Sequence, residues 1–317
     1  MKKGFVLLLI FVAQTIFIST LVQAEPPAAI LLSCRGDVIV IKSSGETVKG
    51  TFGLSLEEGD EIRTGKDSEA EIHFENGSWV HIGAGSSMHV KGSRMTKPAP
   101  GIKEDEKSFE RVRNFLKLKG SEGTSTLAML RSVEKSTDLK VKSPCQSKIR
   151  EAHPKFHWDV SDSSTELRLT VYNEEGILWK KKVKGITSLP YPSDAPDLAP
   201  GTTYSWTLET TDPLQFPPLR SQAAFFEILT PEEVAQLKTE LSQITREKIA
   251  SKSAYYLARA SLFFGYGLLE EAIHETKQAL DADPENATLH SILARLYSQA
   301  GRTKEALGEY NQLLEQR

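Results

Sequence analysis

The stretch GDEIRTGKDSEAEIHFENGSWVHI, Gly59 to Ile82, decides the reading of the N-terminal part of the chain. Apolar and polar residues alternate along Glu61–Thr64, Ser68–Phe74 and Ser78–Ile82. The same alternation runs through Asp37–Lys42 before it and Ser87–Val90 after it. Gly45, Gly59-Asp60, Gly65-Lys66-Asp67, Asn76-Gly77 and Gly83-Ala84-Gly85 punctuate these runs. Alternation of period two between turn signals predicts half-buried strands. Asn76-Gly77 suits a tight reversal, because both residues tolerate positive φ. Ile62, Ala70, Ile72, Phe74, Val80, Ile82, Met88 and Val90 are then expected to face one narrow core. His73, His81 and His89 recur on the alternate positions and are expected to point outward. Stacked imidazoles can bind zinc or nickel, but a closed ligand set is missing, so no metal is assigned.

This ladder resembles the FecR domain family. The residues that carry the resemblance are Gly36-Asp37-Val38, Gly59-Asp60-Glu61-Ile62-Arg63-Thr64, the strand Glu69–Phe74, and Asn76-Gly77-Ser78 before Trp79–Ile82. The resemblance implies a small β-solenoid or compact β-domain in the bacterial periplasm. Family members that regulate transcription carry a cytoplasmic segment that contacts a sigma factor. Only Met1-Lys2-Lys3 stands in that place here, so sigma-factor regulation is not expected.

Met1–Ala24 reads as a signal peptide: Lys2 and Lys3, an apolar run Gly4–Val22, then Val22-Gln23-Ala24 ahead of Glu25-Pro26-Pro27. The alternative is an uncleaved anchor, since the run approaches the ~20 residues that span a bilayer. Either way the protein is expected in the periplasm or cell envelope, with membrane contact only if that segment is retained. Cys34 and Cys145 leave open one disulfide or two separate thiols. Cys34 follows Leu31-Leu32-Ser33, similar to a lipoprotein acylation site, but lies beyond the export signal, which argues against lipidation.

The 317 residues suffice for two or three domains. With 39% hydrophobic and 26% charged residues the chain is foldable, and a formal charge of −3 with no basic aromatic stripe excludes a nucleic-acid footprint. Lys91–Lys107 is rich in proline, glycine and mixed charge and reads as a loop or linker. Phe109, Val112, Phe115 and Leu116 are spaced for a short amphipathic helix over Ser108–Lys119, with a strand at Lys117–Lys119 as the alternative. Leu127–Val141 is ambiguous.

Beyond His153-Pro154, the runs Phe156–Val160, Glu166–Tyr172, Ile177–Val183, Thr203–Leu208 and Ala223–Ile228 alternate between turn signals, which predicts a β-sandwich. Trp158, Trp179 and Trp206, one per strand, are the rings expected to fill it. Leu198-Ala199-Pro200-Gly201, with Tyr204 and Trp206 after it, resembles the turn and tyrosine strand of immunoglobulin-like and fibronectin type III modules.

Thr230-Pro231-Glu232-Glu233 predicts a capped helix start, with Val234, Leu237, Leu241 and Ile244 on its apolar face. Ser253–Asn286 and Ala287–Arg317 then align at a spacing of 34 residues. Ala260 matches Ala294, Phe263 matches Tyr297, Gly267 matches Gly301, Ala272 matches Ala306, Ala279 matches Leu313, and Pro284 closes the first repeat. Small residues where helices cross and an aromatic beside them resemble the tetratricopeptide (TPR) pattern. The resemblance implies non-catalytic helical pairs whose concave surface holds protein segments. Carried over from that pattern, the partner-facing positions are Leu257, Ser261, Phe264, Ser291, Arg295 and Ser298. Arg295 can grip a carboxylate bidentately, or be an ordinary solvated arginine. The outer face of the last pair is expected to be covered by another protein or by a second copy.

The expected partition is signal peptide (1–24), FecR-like β-domain (25–92), linker with a short helix or extra strands (93–150), Ig-like β-sandwich (151–229), a helix packing on the repeats (230–252) and two TPR repeats (253–317). The fold class is multidomain β + α. Asp281-Ala282-Asp283 lacks the glycine and distant glutamate of a calcium loop. No metalloprotease helix, nucleophile elbow or phosphate loop is present in the sequence, so no catalytic residue and no cofactor are assigned. The expected function is a binding scaffold, the helices recruiting a protein and the β-domains contacting an envelope component. The alternative is a periplasmic sensing component related to FecR regulators that relays to a separate membrane protein. An enzyme would need an unrecognised site, for which only Leu127–Val141 has room.

Overall fold

The computed structural model describes residues 27–91, 106–120, 139–212 and 217–315. The signal segment expected over 1–24 lies outside the described residues, as does the ambiguous stretch up to residue 138. Within them no helix is long and apolar enough to cross a membrane. The architecture is mixed β and α: several small, mostly antiparallel sheets and a C-terminal set of helices.

The first unit contains eight strands in two four-stranded antiparallel sheets. One has the order β4 (Leu54–Leu56), β1 (Ala29–Arg35), β6 (Glu69–Phe74), β7 (Trp79–Ile82); the other β3 (Thr47–Lys49), β2 (Val38–Ile41), β5 (Glu61–Thr64), β8 (Ser87–His89). Ala29, Leu31, Val38, Val40, Leu56, Ile62, Ala70, Ile72, Phe74, Ile82 and Val90 form the core between them, with Val80 and Met88 packed at its edge. The alternation read from the sequence therefore holds for this face.

Asp60 explains the Gly-Asp pair. Its carboxylate is wholly buried and accepts the N–H groups of Ser43 (2.9 Å) and Glu57 (3.0 Å) and the Lys42 ammonium (2.8 Å). Burial raises its pKa, but the donors from Glu57, Lys42 and Ser43 outweigh this and hold the carboxyl below its ordinary range. Two turns, the one after β2 and the one before β5, are thus tied to one side chain. Gly36 adopts φ 74°, and a Cβ there would lie 2.5 Å from Ser68 Oγ, the group that accepts the Asp37 N–H at 2.7 Å.

The second face of the first sheet departs from expectation. Ile30 and Leu32 on β1 belong to the core of the helical unit. Glu71 and His73 on β6 are wholly buried as well. The outward placement expected for His73 is therefore corrected: β1 and β6 are covered on both faces, while His81 and His89 at the edges remain exposed. A strand buried on both faces loses its polar alternation, which is why Ala29–Arg35 does not announce itself as a strand. Cys34 lies inside β1, opposite Ala70.

The second unit packs a five-stranded sheet against a three-stranded one. The larger has the order β10 (Ser147–Ile149), β16 (Ala224–Ile228), β15 (Thr203–Thr210), β12 (Leu167–Asn173), β13 (Gly176–Val183). The smaller is β14 (Ser188–Pro190), β11 (Lys155–Val160), β9 (Leu139–Ser143). Trp158 and Trp206 fill the gap and Trp179 packs at its margin. The Trp206 indole donates to Pro144 O at 2.8 Å, and the Tyr204 hydroxyl accepts the Ala199 N–H at 2.7 Å.

Helix α1 (Glu106–Leu116) continues as a 3-10 turn (Lys117–Gly120). The helices α2 (Pro231–Gln243), α3 (Lys252–Gly265), α4 (Leu269–Ala282), α5 (Ala287–Gln299) and α6 (Thr303–Glu315) follow the sandwich. Thr230 Oγ1 accepts the Glu233 N–H at 3.2 Å while Glu233 Oε2 accepts the Thr230 N–H at 2.8 Å, the reciprocal cap read from the sequence. Helices α3 with α4 and α5 with α6 make two hairpins, and α4 packs on α5. Equivalent positions of the hairpins match: Ala260 and Ala294, and Ala272 and Ala306, are wholly buried, and Gly267 and Gly301 turn the chain at φ 73° and 70°.

Candidate functional site

The partner-facing residues read from the sequence lie on α3 and α5, and the structure brings them to one side of the hairpins. That side is covered by the chain's own α1. Helix α1 packs on α3, and the 3-10 turn after it packs on α5. Phe109, Val112 and Phe115 are wholly buried in the helical core. Phe115 meets Phe264 with ring centroids 5.4 Å apart at 57°. Arg111 pairs with Glu240 of α2 at 3.1 Å and runs past Gly265, where a Cβ would come within 3.0 Å of its Cδ.

Of the six positions, Leu257, Ser261 and Ser291 are buried, and Phe264, Arg295 and Ser298 are half-buried. The Ser261 hydroxyl donates to Ala258 O of its own helix at 2.8 Å. The sequence signal for the covering segment was the Phe109, Val112, Phe115 spacing: an apolar stripe on a helix flanked by polar linker requires a second surface.

Two buried groups anchor this arrangement to the first sheet. Glu71 accepts the N–H groups of Ala250 (3.3 Å) and Ser251 (3.1 Å) just ahead of α3, and His81 Nδ1 lies 3.2 Å from it. His73 stacks on Trp79 at 4.2 Å and 19° and touches Phe109 at 5.5 Å. Its Nδ1 lies 3.3 Å from Ser78 O and its Nε2 3.4 Å from Ser108 Oγ. Burial pushes the imidazole pKa down to about 4, against the smaller opposing effect of its contacts with Ser78 and Ser108.

The three histidines do not converge. His73 faces α1, His81 faces Glu71 and His89 lies 3.8 Å from Glu61. Among the described residues no group of three or more His, Cys, Asp or Glu is placed to hold a metal ion. Cys34 and Cys145 are separate thiols. Burial pushes Cys34 up to about 12, helped by Asp283, and Cys145 up to about 11, with Glu270 adding to the rise. Neither is a thiolate at neutral pH, so neither is poised as a nucleophile. Asp283 accepts from the Asn286 amide at 2.7 Å, and Asn286 caps α5, which accounts for the turn without calcium.

The sandwich and the hairpins are joined by a built seam. Leu269 N–H donates to Ser147 Oγ at 3.0 Å and Lys148 N–H to Gly267 O at 2.8 Å. The Lys148 ammonium reaches both Glu227 (2.8 Å) and Glu233 (2.9 Å), and Arg150 pairs with Glu271 at 3.0 Å. A cleft of about 310 Å³ opens at the other end of the seam, lined by Lys140, Lys142, Arg302 and Lys304 among others. Lys142 is paired with Asp159 and Arg302 with Glu270.

Among solved structures the chain is similar to a protein described as a cell surface anchoring domain, at 23% identity over 20% of this chain and 86% of that one, with a TM-score of 0.20. Astrotactin-2, described as a conserved vertebrate-specific and perforin-like membrane protein, matches at 13% identity over 51% of this chain and 37% of that one, with a TM-score of 0.19. A β-1,2-glucanase from Parabacteroides distasonis matches at 9% identity over 91% of this chain and 50% of that one, with a TM-score of 0.22. No curated protein matches. One family model covers residues 146–307, from the strand that joins the seam to the middle of α6, which is more than half of the chain. The matched stretch takes in the sandwich from β10 onward and the hairpins as far as Leu307, and the chain belongs to the family described as Domain of Unknown Function (DUF928).

Proposed function

We propose that this is an exported, non-catalytic protein of the cell envelope, a scaffold whose TPR-like hairpins recruit a protein partner. Its FecR-like β-unit and Ig-like sandwich contact an envelope component. The observation that carries the reading is the repetition of structure at the sequence spacing. Small residues sit where α3 meets α4 and where α5 meets α6, and a positive-φ glycine closes each hairpin. Stacked hairpins of this kind act through surface and not through chemistry. The Tyr204 hydroxyl bonded to the turn before it supports the Ig-like likeness.

Because α1 covers α3 and α5, the accessible contact is the outer face of α6. There Leu314 is 64% exposed, while Leu307 and Leu313 are half-buried. Removing the hairpins would strip the cover from Ile30, Leu32 and Phe115, so the test is a point substitution in the full chain. Cross-linking capture in intact cells would compare the native protein with Leu314→Glu. A cross-linked protein lost in the variant supports recruitment through α6. An unchanged set of partners overturns it.

A further inference from the structure

The neutral ring of His73 fits its site fully. Nδ1 faces a carbonyl, Ser78 O, so that nitrogen carries the hydrogen; Nε2 is left to accept from the Ser108 hydroxyl. Ser108 and Phe109 form the start of α1, so the first turn of the helix rests on this ring, while Val112 and Phe115 rest on the helical core. A second proton would have to enter at Nε2, between two aromatic rings and out of contact with water. Among the described residues the charged groups on the packed elements are otherwise engaged. On β6, Glu71 is held by Ala250, Ser251 and His81. On α1, Arg111 pairs with Glu240 and Arg113 with Glu110. On β1, Arg35 pairs with Glu69 at the far end of the strand, and Ile30 is the residue opposite His73.

We propose that His73 is an acid-sensitive latch whose protonation releases α1 and uncovers the α3 surface around Leu257, Ser261 and Phe264. The proposal rests on the reading of the hairpins as a recruiting unit: the uncovered strip takes an amphipathic helix of the kind that α1 supplies. The sign follows from linkage. A base held below its ordinary pKa in the docked state favours the docked state above pH 6.5. It favours the open state increasingly as pH falls toward 4. Between pH 7.5 and 5 the opening equilibrium of α1 should rise roughly 30-fold, taking 6.5 for the exposed ring and about 4 for the docked one.

The test is hydrogen exchange of the α1 amides in the full chain at pH 7.5 and 5, corrected for intrinsic rates. The native protein and His73→Leu would be compared. The native protein should show the rise and the variant should not; an equal rise in both overturns the latch. His73→Asn, which keeps a donor for Ser78 O but cannot charge, serves if the leucine variant does not fold. The ring's own titration in the native protein, followed by NMR, gives a readout without any variant. A midpoint below 5 is expected, and one near 6.5 overturns the proposal. None of these readouts involves a partner, so failure of the α6 contact leaves them intact.

Discussion

The Glu71 carboxylate on β6 accepts the backbone N–H of Ser251 at 3.1 Å, joining two residues 180 positions apart. The same carboxylate takes the Ala250 N–H and His81. The N–H groups at a helix start have no partner within the helix, and a negative charge there is favoured by the helix dipole. The Ser251 hydroxyl caps α3 by accepting the Ala254 N–H, and the first sheet supplies the acceptor for the Ala250 and Ser251 N–H groups that lead into it. The β-unit and the hairpins are held together by this group as much as by the apolar core beneath it.

Glu71→Ala would leave two buried donors and an unpaired His81 contact. A loss of about 3 kcal/mol is expected, read as a lower urea midpoint. Glu71→Gln keeps an acceptor oxygen and should lose clearly less. Equal losses would mean that charge, not hydrogen bonding, is what the site requires.

Gly36 and Gly45 both adopt positive φ, at 74° and 90°, but differ in surroundings. A Cβ at Gly45 meets nothing within 4 Å, whereas at Gly36 it collides with Ser68 Oγ and lies 3.0 Å from the Asp67 carbonyl. Gly45→Ala should cost ~1 kcal/mol from backbone strain alone. Gly36→Ala should cost at least twice as much, because Ser68 must also give up the Asp37 N–H. Thermal unfolding of the two variants side by side decides it.

Strands with one wet face were legible, because Ile62 and Met88 alternate with polar neighbours and glycine turns separate the runs. The hairpins were legible too, since each repeats the other. What stayed hidden was whatever depends on contacts between distant segments. Strand β1 and the second face of β6 are buried by helices far along the chain, so Ile30 and Leu32 sit beside Ala29 and Leu31 without a polar residue between them. His73 keeps a polar identity in a buried place because Ser78 and Ser108 satisfy it. At the candidate site, Leu257, Ser261 and Ser291, carried over from the repeat pattern, lie buried on α3 and α5. That α1 covers them is a tertiary fact, signalled only by the stripe on α1.

Asp60 is a buried carboxylate whose ionisation contributes to acid sensitivity. Its pKa is depressed in the folded state, so its contribution is complete above the ordinary carboxylate range and is lost as pH falls through the depressed value. Asp60→Asn keeps the size but cannot accept from Ser43, Glu57 and Lys42 as an anion does. A cost of about 2–3 kcal/mol at pH 7 is expected. The variant's stability should also fall less steeply than the native protein's below pH 4, as followed by urea unfolding across pH. Parallel curves would assign the acid sensitivity elsewhere.

Phe115→Ala separates the covering helix from the surface it covers. Phe115 is wholly buried, packs on Phe264 and belongs to a core that reaches from Ile30 to Tyr310. Truncating such a ring in a site that cannot collapse costs about 3–5 kcal/mol. Because the lost contacts lie between α1 and α3, the cost should appear first as local opening of α1. Exchange of the α1 amides should quicken while the sandwich amides around Trp206 stay protected, since their core shares no residue with it. Phe115→Leu, which keeps most of the apolar volume, should open α1 far less. Uniform acceleration across both units would show instead that α1 is inseparable from the global fold and cannot act as a cover.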